Sequence, residues 1–492
     1  MKNKVYRKIK SGIALLLTLA FVSCESWLDV EPKSEIKADA LFETETGFKD
    51  ALIGAYLLMT SQDLYGLEMT VGFADALGQQ YTIQETGNGY YYASRYQYKQ
   101  ATVTNRINRI WSAAYNVIAN LNKLLEQLEV RKGLLHPSNY NMIKGETLGL
   151  RALLHFDLMR MFGYGDLKNK PENLNKISVP YVTTYSKFTT PQSTTKELLA
   201  KIHADLAESE ALLNETDPWG TADHGNDYEL PNEDKFYDKR AKRFNYYAVK
   251  ATQARVYLWE GDYANAYRCA DAVIKAGKFN WITDYNMSSS PEKRDYTFST
   301  EHVFGLTITN LYDGLKSWIL PGEINTNVNL LYHSKVLAES IFEEPIRSDY
   351  RYLRLYKIDE KYTLLKFTYV EGSIYKDNMP VIRKSEMYYI AAECLNASGN
   401  ADDRKEAIKL LNTVRNNRGI SPQMNLEDNL TAEQVSNEIY KEYRKEFVCE
   451  GQMFYFYKRL GYATIPGTSY AGDDNVYKVP MPDVEIEFGG RE

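Results

Sequence analysis

The stretch from Ile107 to Leu128, INRIWSAAYNVIANLNKLLEQL, decides the reading of the fold. Its apolar side chains Ile107, Ile110, Trp111, Ala114, Val117, Ile118, Leu121, Leu124, Leu125 and Leu128 recur at the three-and-four spacing of one helical face. A second helix follows, with Ile143, Thr147, Leu150, Leu154, Leu158 and Met161 on one stripe and Leu148, Ala152, Phe156 and Met159 on its neighbour, ending at Gly163. An apolar surface that wide is covered only when the helix lies between other helices.

Working outward, the pattern returns at Phe244, Tyr247, Ala248, Ala251, Ala254 and Leu258, turns at Gly261-Asp262-Tyr263, and continues through Ala266, Ala270, Val273 and Ile274. It comes back at Met387, Ile390, Ala391 and Cys394, breaks at Gly399, and resumes at Ala407, Ile408, Leu411 and Val414. Recurring helix–turn–helix units, about 103–163, 194–277, 381–419 and 431–460, look like tetratricopeptide repeats at irregular spacing. Between them lie segments rich in Gly, Pro, Asn, Asp, Ser and Tyr, chiefly 64–101, 215–240 and 280–380; long insertions of this kind are usually functional or mobile. His302 to Thr309 and Tyr362 to Val370 read as short strands. The predicted architecture is mostly α: a tetratricopeptide-like helical scaffold with long loop-rich insertions and a few short strands.

Residues 1–23 carry Lys2, Lys4, Arg7, Lys8 and Lys10 ahead of an apolar run from Ile13 to Val22, and Ser23 precedes Cys24. This reads as a secretory signal, and the run is shorter than the about 20 apolar residues needed to span a bilayer. A small residue directly before the first Cys resembles a bacterial lipoprotein signal, which would make Cys24 the lipidated first residue of a mature body, 24–492, held on the membrane by its acyl chains alone. Phe21 departs from the usual Leu of such signals. Loss of those five cations would take the formal charge from −6 to −11, and no basic arm is present, so a nucleic-acid partner is disfavoured. Cys269, Cys394 and Cys449, each within a helical pattern, read as buried free thiols; with Cys24 lipidated, three cannot build a disulfide framework.

The chain holds 40 Tyr, 18 Phe and 6 Trp, an excess of rings that carry both an apolar face and a polar tip. Tyr90, Tyr91 and Tyr92, with Tyr96 and Tyr98, follow Gly87-Asn88-Gly89; Tyr312 and Trp318 stand in the later insertion, and Trp219 in an Asp-Pro-Trp-Gly turn. A sugar ring packs its axial C–H bonds on a flat aromatic face while amides and carboxylates bond its hydroxyls. Tyr81, Asn88, Tyr90, Tyr91, Tyr92, Tyr96, Tyr312, Trp318, Trp219 and Asp75 are therefore the candidate ligand contacts, against the plainer reading that these rings cover the helical core.

Other constellations read as structural. Glu442, Glu446 and Glu450 fall at i, i+4 and i+8, one helix face, with Arg444, Arg383 and Arg151 as candidate partners. Asp223, Gly225, Asp227 and Glu229 alternate like oxygen ligands but lack a full calcium-loop pattern, so a solvated turn is preferred. No catalytic template is met: there is no H-E-x-x-H, C-x-x-C, G-x-S-x-G or phosphate loop, and six scattered His lack ligand spacing. No catalytic residue, metal or cofactor is assigned.

In order along the chain the motifs resemble the SusD/RagB family of outer-membrane nutrient-binding lipoproteins, over nearly the whole mature length. Trp27-Leu28-Asp29 with Pro32 is similar to that family's start. Trp111, Tyr115, Ile118, Asn122 and Leu124 match its first helix motif, and Gly145-Glu146 and Leu150-Arg151-Ala152 to Phe162-Gly163 its next, with Thr147 where Ala is usual. Arg383 to Glu386 with Ala391-Ala392-Glu393, Val414 to Arg418, and Val479 to Pro482 with Glu485 look like later family elements. The most specific is Glu442 to Phe447 with Glu450-Gly451 and Lys458-Arg459, where Met453 and Phe456 replace the usual Arg and Asp, so local packing is expected to be apolar. The resemblance implies a surface-exposed, non-catalytic glycan-binding lipoprotein whose insertions, about 64–101 and 280–380, hold ligand. It further implies delivery to a SusC-like TonB-dependent transporter in the outer membrane. A peptide- or protein-binding relative on the same scaffold, and a hydrolase, are the alternatives.

Overall fold

The computed structural model describes residues 40–223, 230–319, 327–343, 346–357 and 361–491. Among the described residues the helices of eight or more residues are α1 (Glu45–Met59), α2 (Ala101–Val130), α3 (Pro137–Phe162), α4 (Thr195–Thr216), α5 (Tyr246–Glu260), α6 (Tyr263–Ile274), α7 (Leu311–Ile319), α8 (Lys384–Ala397), α9 (Ala401–Asn417), α10 (Ala432–Glu446) and α11 (Met453–Leu460). Among the described residues the strands are β1 (His302–Thr307), β2 (Tyr332–His333), β3 (Tyr356–Lys357), β4 (Tyr362–Leu364) and β5 (Asn378–Arg383). Two units result: Met1–Phe48, described over 40–48, where the Phe42 and Phe48 rings lie 4.9 Å apart, and Lys49–Glu492.

Within the second unit, α2 packs on α3, α3 on α4, α4 on α5, α5 on α6, α6 on α8 and α8 on both α9 and α10. The fold is the mostly helical, repeat-like scaffold that the periodicity predicts. Local chemistry punctuates it. Thr194 and Glu197 form a reciprocal capping box at the start of α4, as Thr431 and Gln434 do at α10. Gly261 ends α5 at φ +83°, a left-handed conformation that side chains rarely adopt. Where α3 crosses α4, Ser209 Oγ donates to the Gly145 carbonyl at 2.6 Å, and a Cβ on Gly145 would lie 2.8 Å from Leu213 Cγ. The crossing is close because Gly145 has no side chain.

β1 and β5 pair antiparallel from His302 opposite Arg383 to Thr307 opposite Asn378, with irregular register around Phe304. This ribbon closes the 280–380 insertion and leads straight into α8. β4 is the centre of a three-stranded sheet, between β2 and β3. The strand expected over Tyr362 to Val370 stops at Leu364, because the chain turns there, Thr368 N bonding the Leu365 carbonyl at 2.9 Å. Cys269 and Cys394 are buried thiols within helices; Cys449 is buried too, but in the turn after α10 at φ +67°, not in a helix.

The segment 64–101 is not the surface loop its composition suggests. Leu64 to Leu77 is buried throughout, and only Gln84 to Gly87, Gln97 and Lys99 to Ala101 are fully exposed. Among the described residues no helix is long and apolar enough to cross a membrane.

Candidate functional site

Asn88 and Gly89 fasten the first insertion to the second. Asn88 Nδ2 donates to the Val328 carbonyl at 3.0 Å, Gly89 N donates to Asn329 Oδ1 at 3.0 Å, and Thr82 N donates to the Tyr332 carbonyl at 2.9 Å. Leu331 N in turn bonds the Trp318 carbonyl at 2.7 Å, which fixes the end of α7 against the same turn. A Cβ on Gly89 would stand 3.0 Å from both Trp318 Cη2 and Arg106 Nη2, so the indole rests directly on glycine backbone.

Beneath this junction Tyr90 is buried, with its ring 4.7 Å from Trp318. The Arg106 guanidinium lies 4.1 Å from the Tyr90 centroid and 5.5 Å from that of Trp318. Arg106 is ion-paired to Glu68, whose Oε2 accepts from Tyr90 Oη at 3.1 Å. Burial pushes the Glu68 carboxyl up, with Arg106 opposing, and the same burial pushes the Tyr90 phenol well above its ordinary value.

Three candidate rings remain half-exposed about this junction: Trp318, Tyr91 and Tyr92. Tyr91 and Tyr92 meet edge to face at 5.2 Å, and the Arg95 guanidinium stacks 3.6 Å over Tyr91. Rings held this way offer faces and edges to a ligand without rearrangement.

The other candidates lie elsewhere. Asp75 and Tyr81 are buried: Asp75 accepts from the backbone N–H groups of Cys449 and Gly451, and Tyr81 Oη donates to the Val71 carbonyl at 2.8 Å and to Asp75 Oδ2 at 3.1 Å. Burial holds the Asp75 carboxyl up at about 8 despite those donors. Tyr96 is buried with its hydroxyl on the Leu77 carbonyl, and Tyr98 with its hydroxyl on that of Val476. Asp75, Tyr81, Tyr90 and Tyr96 are thus withdrawn from the surface, because each spends its polar tip inside the fold; Asn88 is buried as a clamp. Tyr312 lies six residues before Trp318, well round the helix, and meets Tyr369 at 5.0 Å instead. Trp219 packs on Phe279 at 5.6 Å, in a turn that Asp217 fixes through Arg240.

Sequence reasoning did not single out Glu68, Arg95, Arg106 or Tyr369. Nothing in their spacing distinguishes them, since their roles arise only on folding, where Glu68 meets Arg106 and Tyr90, Arg95 stacks on Tyr91, and Tyr369 meets Tyr312.

The three carboxylates are structural, as expected, but mostly with different partners. Glu446 is paired with Arg351, Arg383 and Arg418, Glu442 with Arg351 and Lys445, and Glu450 with Arg383 and Lys366. Arg151 instead binds Asp205 and Asn122, and Arg444 lies 5.8 Å from the Tyr440 ring. α10 ends at Glu446, so Glu450 joins from the following turn. Met453 and Phe456 pack apolar, Phe456 lying 4.6 Å from Tyr443. No group of three or more metal-ligating side chains occurs among the described residues. Cys24 and, apart from Asp223, the Asp223–Glu229 alternation lie outside them.

Stacked helices with ring-bearing insertions fastened to each other define a helical-repeat protein with half-exposed rings at the junction of its insertions. Residues 26–219 match a family model described as "Starch-binding associating with outer membrane", and residues 338–484 match the SusD family model. The chain belongs to the SusD/RagB family. It is 22% identical to SusD-like protein P38 of Formosa agariphila, across 91% of this chain and 90% of that one. A SusD superfamily protein from Bacteroides thetaiotaomicron superposes with a TM-score of 0.70 at 22% identity, covering 91% of this chain and 98% of the other. A SusD-like carbohydrate binding protein from Bacteroides vulgatus gives 0.69 at 16% identity, with 90% and 96% covered.

Proposed function

We propose that this chain is a non-catalytic glycan-binding lipoprotein, anchored in the outer membrane through Cys24 and facing outward. In this reading it captures an oligo- or polysaccharide on the Tyr91, Tyr92 and Trp318 ledge and passes it to a TonB-dependent transporter of the SusC type. The observation that carries the reading is the ledge itself. Half-exposed rings stand at the junction of two inserted segments, held by backbone bonds and by Gly89, on a scaffold of family-typical helices. Aromatic faces take the C–H side of a sugar, and pre-organised rings lose little entropy on binding. The family's description and the Bacteroides vulgatus neighbour's carbohydrate-binding title support the ligand class.

The test is capture of the tagged chain from solubilised host outer membranes, followed by incubation with a polysaccharide panel. The reading predicts a large β-barrel partner in stoichiometric amount, retention of at least one polysaccharide, and no new reducing ends. A chain that comes down alone, binds only oligopeptides, or releases sugar contradicts it.

A further inference from the structure

Between Glu85 and Glu126 the chain has no acidic residue, yet it carries Arg95, Lys99, Arg106, Arg109 and Lys123. In a chain with 65 acids against 59 bases this is a local inversion of sign, and it contains Tyr91 and Tyr92. Three of the cations are neutralised, Arg106 by Glu68, Arg109 by Asp63 at 2.9 Å and Lys123 by Glu126 at 3.1 Å. Arg95 is not: among the described residues no carboxylate pairs with it. Its Nη1 donates to the Tyr91 carbonyl at 3.0 Å and to Ser94 Oγ at 3.1 Å, and Nη2 to the Ile83 carbonyl at 3.1 Å. These neutral acceptors fix the guanidinium without cancelling its charge, and Nε and one Nη2 hydrogen stay uncommitted among the described residues. The stack over Tyr91 holds the plane half-exposed beside the ledge.

We propose that the ledge takes an acidic saccharide, bearing a carboxylate or a sulfate ester, and that Arg95 reads the anion. The inference rests on the glycan-binding reading above. A body of net negative charge repels polyanions, so capturing one requires a local patch of opposite sign. Bonds from a guanidinium to an anion are about twice as strong as neutral ones, and a guanidinium already held by three acceptors and a ring loses little freedom in forming them.

The experiment titrates the mature chain with polygalacturonate against its methyl ester, and with dextran sulfate against dextran, at low and at about 1 M salt. One charged member should bind about tenfold more tightly than its neutral counterpart at low salt, with the gap closing at high salt. Arg95→Gln should abolish the gap, while Arg95→Lys, keeping the charge, should retain part of it. The uronate and sulfate arms separate the two anions. Equal affinity for charged and neutral members, measured on the unaltered chain, overturns the inference and leaves glycan binding standing. A gap that survives Arg95→Gln overturns the assignment of Arg95. Silence toward all four polymers counts against both readings.

Discussion

A methyl on Gly149 would lie 2.2 Å from Phe244 Cε1 and 2.9 Å from Ser209 Oγ, inside the α3–α4 crossing. Overpacking of this kind costs about 1–3 kcal/mol, so Gly149→Ala should lower the urea midpoint, whereas Gly54→Ala, with open space at its Cβ on α1, should hold or raise it. His155 gives a pH prediction. Its Nδ1 lies 2.8 Å from the Arg151 carbonyl and its Nε2 accepts from Val182 N at 3.0 Å, so the fold needs the neutral ring. Burial pushes its pKa down to about 3. The unfolded ring titrates near about 6.5, so below that pH the unfolded chain binds a proton that the folded one refuses. The contribution is complete above pH 6.5 and is lost on acidification toward 3, at about 1.4 kcal/mol per unit. His155→Gln should flatten the acid side of the stability–pH curve by about that slope, as read by urea unfolding; an unchanged curve would refute the assignment. At this scale the sequence is least telling. Tyr90, Tyr91 and Tyr92 are three identical neighbours, and only the turn that Asn88 clamps decides that the first is buried and the other two are not.

At the scale of elements, α10 is the tie of the second half. Arg351 comes from the short helix Tyr350–Leu355, Arg383 from the end of β5, and Arg418 from just beyond α9; all three converge on Glu446. The Arg418 and Arg383 guanidinium groups hold the Glu446 carboxyl well below the usual carboxylate range, outweighing burial. Removing one member of such a cluster leaves the others as buried, uncompensated charge, at a cost of about 3–5 kcal/mol. Glu446→Gln should therefore lose about that much in chemical denaturation, far more than Glu438→Gln on the same helix, whose bond to Lys441 is only part-buried. The i, i+4 carboxylates were legible because a helix repeats locally. Of their partners only Arg383 was, since Arg351 lies 91 residues from Glu442 and nothing local marks it.

For the whole molecule, the helical frame could be read because each helix announces itself within a few turns. The insertions could not, because their order depends on pairings such as β1 with β5 and Asn88 with Val328, 240 residues apart. The candidate site was legible as a region and as a residue type, in Trp318 and the Tyr91-Tyr92 pair, and illegible as a surface. On the function proposed above, this surface binds sugar without cleaving it. The measurement that bears on it most directly is calorimetric titration of the mature chain and of Trp318→Ala with a polysaccharide panel, with product analysis of every cell. Saccharide heat is expected from the unaltered chain, with no released fragments, and affinity reduced several-fold, up to about tenfold, in a Trp318→Ala chain of unchanged melting temperature. Absence of saccharide heat, or affinity that Trp318→Ala leaves untouched, would contradict it.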